Sequence, residues 1–102
     1  MKNINHEEFN QIKDRNGITV VDFYAEWCGP CKMLTPVLEQ ISTEVDSDVK
    51  FVKINLDENL PLAREYGVTS IPTLIFLKDG KELDRTVGFV PKDKIKDKIE
   101  NI

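Results

Sequence analysis

The only two cysteines of the chain, Cys28 and Cys31, lie in the segment Trp27-Cys28-Gly29-Pro30-Cys31-Lys32. Their spacing serves three kinds of chemistry: half of a zinc site, part of an iron–sulfur site, or a redox dithiol. Structural zinc takes four ligands, and beyond these thiols the chain offers only His6 as a histidine, so a self-contained site is short of donors. A site shared between two chains stays open. As a staple the pair is weak. A bridge closing about four residues is worth about 2 kcal/mol in the loop-entropy account, against about 4.7 kcal/mol for a loop of about a hundred. The residue types therefore point to reactivity. Pro30 suits the first turn of a helix, where an amide proton has no intrahelical partner, which puts Cys28 at the helix entrance and Cys31 one turn inside. Residues three apart on a helix are neighbours at roughly 5–6 Å, within reach of a sulfur–sulfur bond after small adjustment. Unpaired amides and the positive end of the helix dipole favour a thiolate at Cys28, the candidate nucleophile, with Cys31 as the second thiol.

Asp22 is the other residue that stands out, because it interrupts an apolar run, Ile18 to Ala25, in which a carboxyl should be buried and its pKa raised unless it is paired. Gly29 and Pro30 add no charge to the loop. A histidine at either position would stabilise the thiolate further and favour oxidising chemistry, so this loop suits a reductant.

The elements that hold these residues follow from period and punctuation. Asn5 with Glu8 three positions on reads as a capping-box variant opening a short helix with Phe9 and Ile12 on one face, ended by Gly17. Ile18 to Ala25 reads as a central strand covered on both sides. Leu34, Leu38, Ile41 and Val45 form the stripe of an amphipathic helix that starts at the cysteines and carries Pro36, expected to kink it. Met33 is expected to pack in the core below the dithiol. Val49 to Leu56 is a second core strand, and Leu60 to Tyr66 a short helix with Pro61 in its first turn and Gly67 as its cap. Thr73 to Leu77 is a strand that turns at Asp79-Gly80 into an antiparallel partner, Glu82 to Val87, whose Arg85 suits a sheet edge. Pro91 introduces a last helix with Ile95, Ile99 and Ile102 on one face. The order is α/β with crossover units and a terminal hairpin.

Length and charge narrow the field. The chain has 102 residues, the size of one domain, so residues 1–102 are read as a single unit. Fourteen basic residues against 18 acidic ones give a net charge of −4 with no basic block, which argues against nucleic acid as a partner. The lysines of the last helix alternate with acids and read as a solvated face. No stretch approaches the roughly 18 apolar residues of a membrane span, and the N-terminus lacks the apolar core of a secretory signal, so a cytoplasmic protein is expected if the chain is whole. His6 is assigned to solvent.

The whole chain resembles the thioredoxin family. The resemblance rests on Val20-Val21-Asp22-Phe23-Tyr24-Ala25-Glu26 leading into Trp27-Cys28-Gly29-Pro30-Cys31-Lys32, on Pro36, on Lys53-Ile54-Asn55-Leu56-Asp57, and on Tyr66-Gly67-Val68, Ile71-Pro72-Thr73, Asp79-Gly80 and Gly88. It implies a thioredoxin fold, a central five-stranded mixed β-sheet flanked by four α-helices, with a first strand near Lys2 to Asn5 that is brief here. It also implies a monomeric general protein-disulfide reductase with no bound cofactor. Such a protein works through a reversible Cys28–Cys31 disulfide, acts on disulfide-containing client proteins and is recycled by an NADPH-dependent flavoprotein, thioredoxin reductase. By the same resemblance Asp22 lies behind Cys31 as its proton acceptor, and Lys53 shares the charge of Asp22, though a plain exposed strand lysine is an equal reading. The Ile71-Pro72 bond is expected to be cis, and Trp27, Gly29, Pro30, Ile71, Pro72, Gly88 and Phe89 to form a flat, weakly apolar docking rim. Tyr24 departs from the family, many members of which carry a second tryptophan there. Two other classes stay open: a non-enzymatic subunit that docks through the rim, and a metal-binding dimer.

Overall fold

A computed structural model describes residues Met1–Ile102. Five strands, β1 (Lys2–Asn3), β2 (Ile18–Tyr24), β3 (Lys50–Asn55), β4 (Thr73–Lys78) and β5 (Lys81–Val87), form one sheet in the order β1-β3-β2-β4-β5. β1, β3 and β2 run parallel, β4 is antiparallel to β2, and β5 is antiparallel to β4. The helices are α1 (His6–Ile12), α2 (Gly29–Glu44), α3 (Leu60–Glu65) and α4 (Lys92–Asn101).

The near-continuous apolar run of β2 is explained by burial on both faces: every residue from Thr19 to Tyr24 is buried. Because side chains alternate along a strand, successive residues feed two different cores. Val21, Phe23, Val52, Ile54, Ile75 and Leu77 pack with Phe9 of α1 and Leu62 of α3. On the other face Val20, Phe51, Leu74 and Phe76 meet Leu34, Leu38 and Ile41 of α2 and Ile95 and Ile99 of α4. Each such side chain taken fully out of water contributes about 1.5–3 kcal/mol, so α2 is clamped onto the sheet along the stripe its sequence displays.

Local signals fix the ends. The capping box at Asn5 is present, with Glu8 N–H donating to Asn5 Oδ1 at 2.8 Å and Asn5 N–H to Glu8 Oε1 at 3.1 Å. α1 stops at Ile12 rather than at Gly17. Gly17, at φ 93°, instead sits in the loop before β2, where its N–H donates to Asp79 Oδ1 at 2.8 Å. Asp79 and Gly80, both at positive φ (52° and 85°), make the hairpin turn between β4 and β5. α2 runs on through Pro36, whose ring takes away the N–H that would have reached the Lys32 carbonyl. At the β5 edge, Arg85 bonds Glu82 with Nε at 2.6 Å and the Tyr66 carbonyl at the end of α3 with Nη2 at 2.7 Å. β1 has only two residues, the brief first strand that the short N-terminal segment implies.

Candidate functional site

The site forms where β2 ends and α2 begins. Cys28 is the N-cap of α2 in extended conformation, and Pro30 lies in the first turn, where its missing N–H costs nothing. The N-cap side chain normally accepts a free amide of the first turn. Here the acceptor is sulfur: Cys31 N–H donates to Cys28 Sγ at 3.2 Å. Cys28 and Cys31 are joined as a disulfide, with Cα atoms 5.3 Å apart. Tyr24 and Ala25 pack around the pair, and Ile71 packs against it.

Exposure does not distinguish the two sulfurs. Cys28 is 4% and Cys31 2% exposed, so both are buried. Tyr24, Ala25 and Ile71 cover the bridged pair, and accessibility hardly separates the two sulfurs. Position on the helix separates them: Cys28 receives the amide, Cys31 supplies it. Met33 corrects another expectation. It is 62% exposed rather than core, because the buried stripe of α2 runs through Cys31, Leu34, Leu38 and Ile41, and residue 33 falls off that line.

Asp22 is fully buried on the sheet face that α2 covers, and neither carboxylate oxygen has a hydrogen-bond partner. Burial pushes its carboxyl from the ordinary 3.8 up to about 7, against the downward pull of Lys53. Lys53 is its register partner on β3 and is half-buried, so the plain exposed lysine is set aside. Its ammonium sits 4.6 Å from the centroid of the Tyr24 ring.

The rim residues come from three loops. Trp27 is 70% exposed, with its indole N–H donating to Asp57 Oδ2 at 2.8 Å. Gly29 and Pro30 are exposed beside it. The Ile71-Pro72 bond is cis, and Gly88 N–H donates to the Pro72 carbonyl at 2.7 Å, which ties the β5 exit to the β4 entry. Phe89 follows, also exposed. The Trp27–Asp57 bond is a contact that sequence reasoning misses. Its one signal is topological: both residues follow the C-terminal ends of adjacent parallel strands, where loops converge. The two concave sites of the surface lie elsewhere, around Arg15 and Lys50 and around Val45 and Ile99.

This geometry is a dithiol–disulfide pair at a helix N-terminus, with a buried carboxyl on the strand that leads into it. Comparison with known proteins decides what it belongs to. The thioredoxin family model matches residues 1–101. The chain belongs to the thioredoxin family. It is 53% identical to a thioredoxin of Chlamydia caviae over 95 residues, 93% of this chain and 91% of the relative. It is 44% identical to a thioredoxin of Mycoplasmoides gallisepticum over 98% of this chain and all of the relative. Among solved structures, a point-mutant thioredoxin from Halobacterium salinarum superposes with a TM-score of 0.89 at 39% identity, covering 97% of this chain and 87% of that one. A structure reported for the thiol resolving mechanism in yeast mitochondrial 1-Cys peroxiredoxin via glutathione/thioredoxin systems gives the same TM-score of 0.89 at 34% identity, covering all of this chain and 95% of that one. The fold is the thioredoxin fold, and the protein is a thiol–disulfide oxidoreductase whose redox centre is the Cys28–Cys31 pair. Thioredoxins as a family carry no cofactor, and the redox-active disulfide is present here. Its place among protein-disulfide reductases follows from that family and that pair.

Proposed function

We propose that residues 1–102 act as one monomeric domain in the cytoplasm, and that the residues around the dithiol divide the reaction as follows. In the reduced protein Cys28 is the nucleophile. Its thiolate attacks one sulfur of a client disulfide, forming a Cys28–client bond while the other client sulfur leaves as a thiolate. Cys31 then gives its proton to Asp22 and attacks Cys28 Sγ. The Cys28–Cys31 bond forms, the mixed disulfide breaks, and the second client sulfur leaves. Two electrons pass to the client, and protonation of its two thiolates completes the exchange. Cys28 and Cys31 end as the disulfide seen here, and an NADPH-dependent thioredoxin reductase returns the two electrons.

The observation that carries this reading is the Cys31 amide donated to Cys28 Sγ at the mouth of α2. A group stabilised as a thiolate there is a better leaving and attacking sulfur than its partner. Asp22 supports the second step. A carboxyl that titrates at about 7 is poised to take and return a proton near neutral pH. Lys53 beside it tempers the rise, and so helps keep part of the group ionised. Clients dock on Trp27, Gly29, Pro30, Ile71, Pro72, Gly88 and Phe89, with an extended client segment laid along the Ile71 backbone as an added strand. A shallow, weakly apolar rim suits brief contact with many partners. No helix is long and apolar enough to cross a membrane.

The test is trapping. With a disulfide-containing model protein, Cys31→Ser should accumulate a mixed disulfide through Cys28, and Cys28→Ser should not. Equal trapping by the two variants would reverse or abolish the assigned roles.

A further inference from the structure

One line of paired residues crosses the whole sheet through the proton acceptor: Asn3, Lys53, Asp22, Leu74 and Thr86. Tyr24 lies two residues beyond Asp22 and therefore on the same face. Three observations meet at this tyrosine. Its ring is buried and carries the Lys53 ammonium 4.6 Å from its centroid. Its hydroxyl accepts a hydrogen bond from Asn3 Nδ2 at 2.7 Å, which fixes the ring to β1. Glu26 and Glu58 stand near enough to push the hydroxyl pKa upward, after the larger effect of burial.

Lys53 has a long, flexible side chain and lies over the ring on whose hydroxyl these exposed carboxylates act, yet it takes part in none of the five ion pairs of the molecule. A cation over a tyrosine face is held electrostatically, and more firmly where water is partly excluded. The register partner of Asp22 on β4, Leu74, carries no charge, and neither do the buried residues of α2, Cys31, Leu34, Leu38 and Ile41. Lys53 is thus the single cation acting on the carboxyl.

We propose that Tyr24 is a positioning residue for the thiol–disulfide reaction: its ring, anchored to Asn3, holds the Lys53 ammonium beside Asp22 and away from Glu26 and Glu58. The proposal rests on Asp22 being the proton acceptor of Cys31. Without the ring, Lys53 turns toward solvent and the exposed acids, and the Asp22 carboxylate loses its support.

The experiment is a carbon-13 NMR titration of the Asp22 carboxyl in the oxidised, full-length protein, for wild type, Tyr24→Leu and Tyr24→Phe, each with Lys53 and with Lys53→Met. Tyr24→Leu should raise the Asp22 midpoint by about half a pH unit, the size of a partly exposed cation–π contact. Tyr24→Phe keeps the ring and loses only its anchor, so its rise should be smaller. In the Lys53→Met background neither change should move the midpoint. An unmoved midpoint in Tyr24→Leu, or the same rise with and without Lys53, overturns the proposal. Should Tyr24→Leu fail to fold, the wild type still decides: the Lys53 ε-methylene protons should resonate upfield of the other lysines because of the ring current, and their absence from that region overturns it. No client takes part in these measurements. Failure of Asp22 as a proton acceptor is read separately, from the pH profile of client release.

Discussion

Asp22→Asn should make the protein more stable at neutral pH than at acid pH, relative to wild type, and the size can be worked from the burial of the carboxyl. Its pKa rises from 3.8 to about 7 because charging it inside the sheet is unfavourable. At about 1.4 kcal/mol per pH unit, a rise of about three units is worth up to about 4 kcal/mol. The sign follows from proton counts. Between about pH 4 and pH 7 the native state holds the Asp22 proton and the unfolded chain does not, so wild-type stability falls as pH rises through this window. Below it both states are protonated; above it the loss is complete. The amide that replaces the carboxyl in the variant is close in shape to the protonated acid and does not titrate. The stability difference between variant and wild type should therefore grow by up to about 4 kcal/mol from about pH 4 to about pH 8. Other groups work in the opposite direction: Glu44, held down by Lys92 and Lys96, and Asp84, held down by Lys98, cost stability as pH falls. They are common to both proteins and cancel in the difference. Guanidinium unfolding of the oxidised proteins at several pH values across that range measures it. A difference that stays constant within about 1 kcal/mol would show that Asp22 is not ionised at a cost in the folded protein, and the reasoning from burial would fail.

Two further outcomes follow. The rate at which Cys31 releases a bound client from Cys28 should rise with pH through an inflection near 7 in wild type and lose that inflection in Asp22→Asn, read by single-turnover kinetics; an unchanged profile would remove Asp22 from the proton path. Gly80→Ala should destabilise the protein by about 1–2 kcal/mol or more in thermal unfolding. Its φ is 85° and an added Cβ would stand 2.7 Å from Asp14 Oδ1, so an unaffected melting temperature would show that the turn relaxes freely.

Much of this was legible in the residues. The apolar run of β2, the stripe on α2, the Asn5–Glu8 cap and the Asp79-Gly80 turn are local signals, and each element lies where its period places it. The cysteine pair and Asp22 were legible because their types are unusual in their settings: a thiol at a helix entrance and a carboxyl inside a buried strand. The departures come from tertiary contacts. Gly17 reads as a helix stop, but its backbone serves the contact with Asp79 across the fold. Met33 reads as core because it is apolar and near the dithiol; only the helix phase set by Leu34 and Leu38 sends it outward. Ile71, which packs against the cluster holding the cysteine pair, is distant from it in sequence. The Trp27–Asp57 bond and the Lys53–Tyr24–Asn3 assembly join residues from different strands and loops, and no local pattern encodes them.

The central claim is that a single sulfur, Cys28, opens client disulfides. Insulin disulfide reduction driven by dithiothreitol measures this most directly. Wild type should accelerate precipitation of the reduced insulin chains well above the uncatalysed rate, and Cys28→Ser should return it to that rate. A Cys28→Ser protein as active as wild type, or a wild type no faster than dithiothreitol alone, would contradict the account.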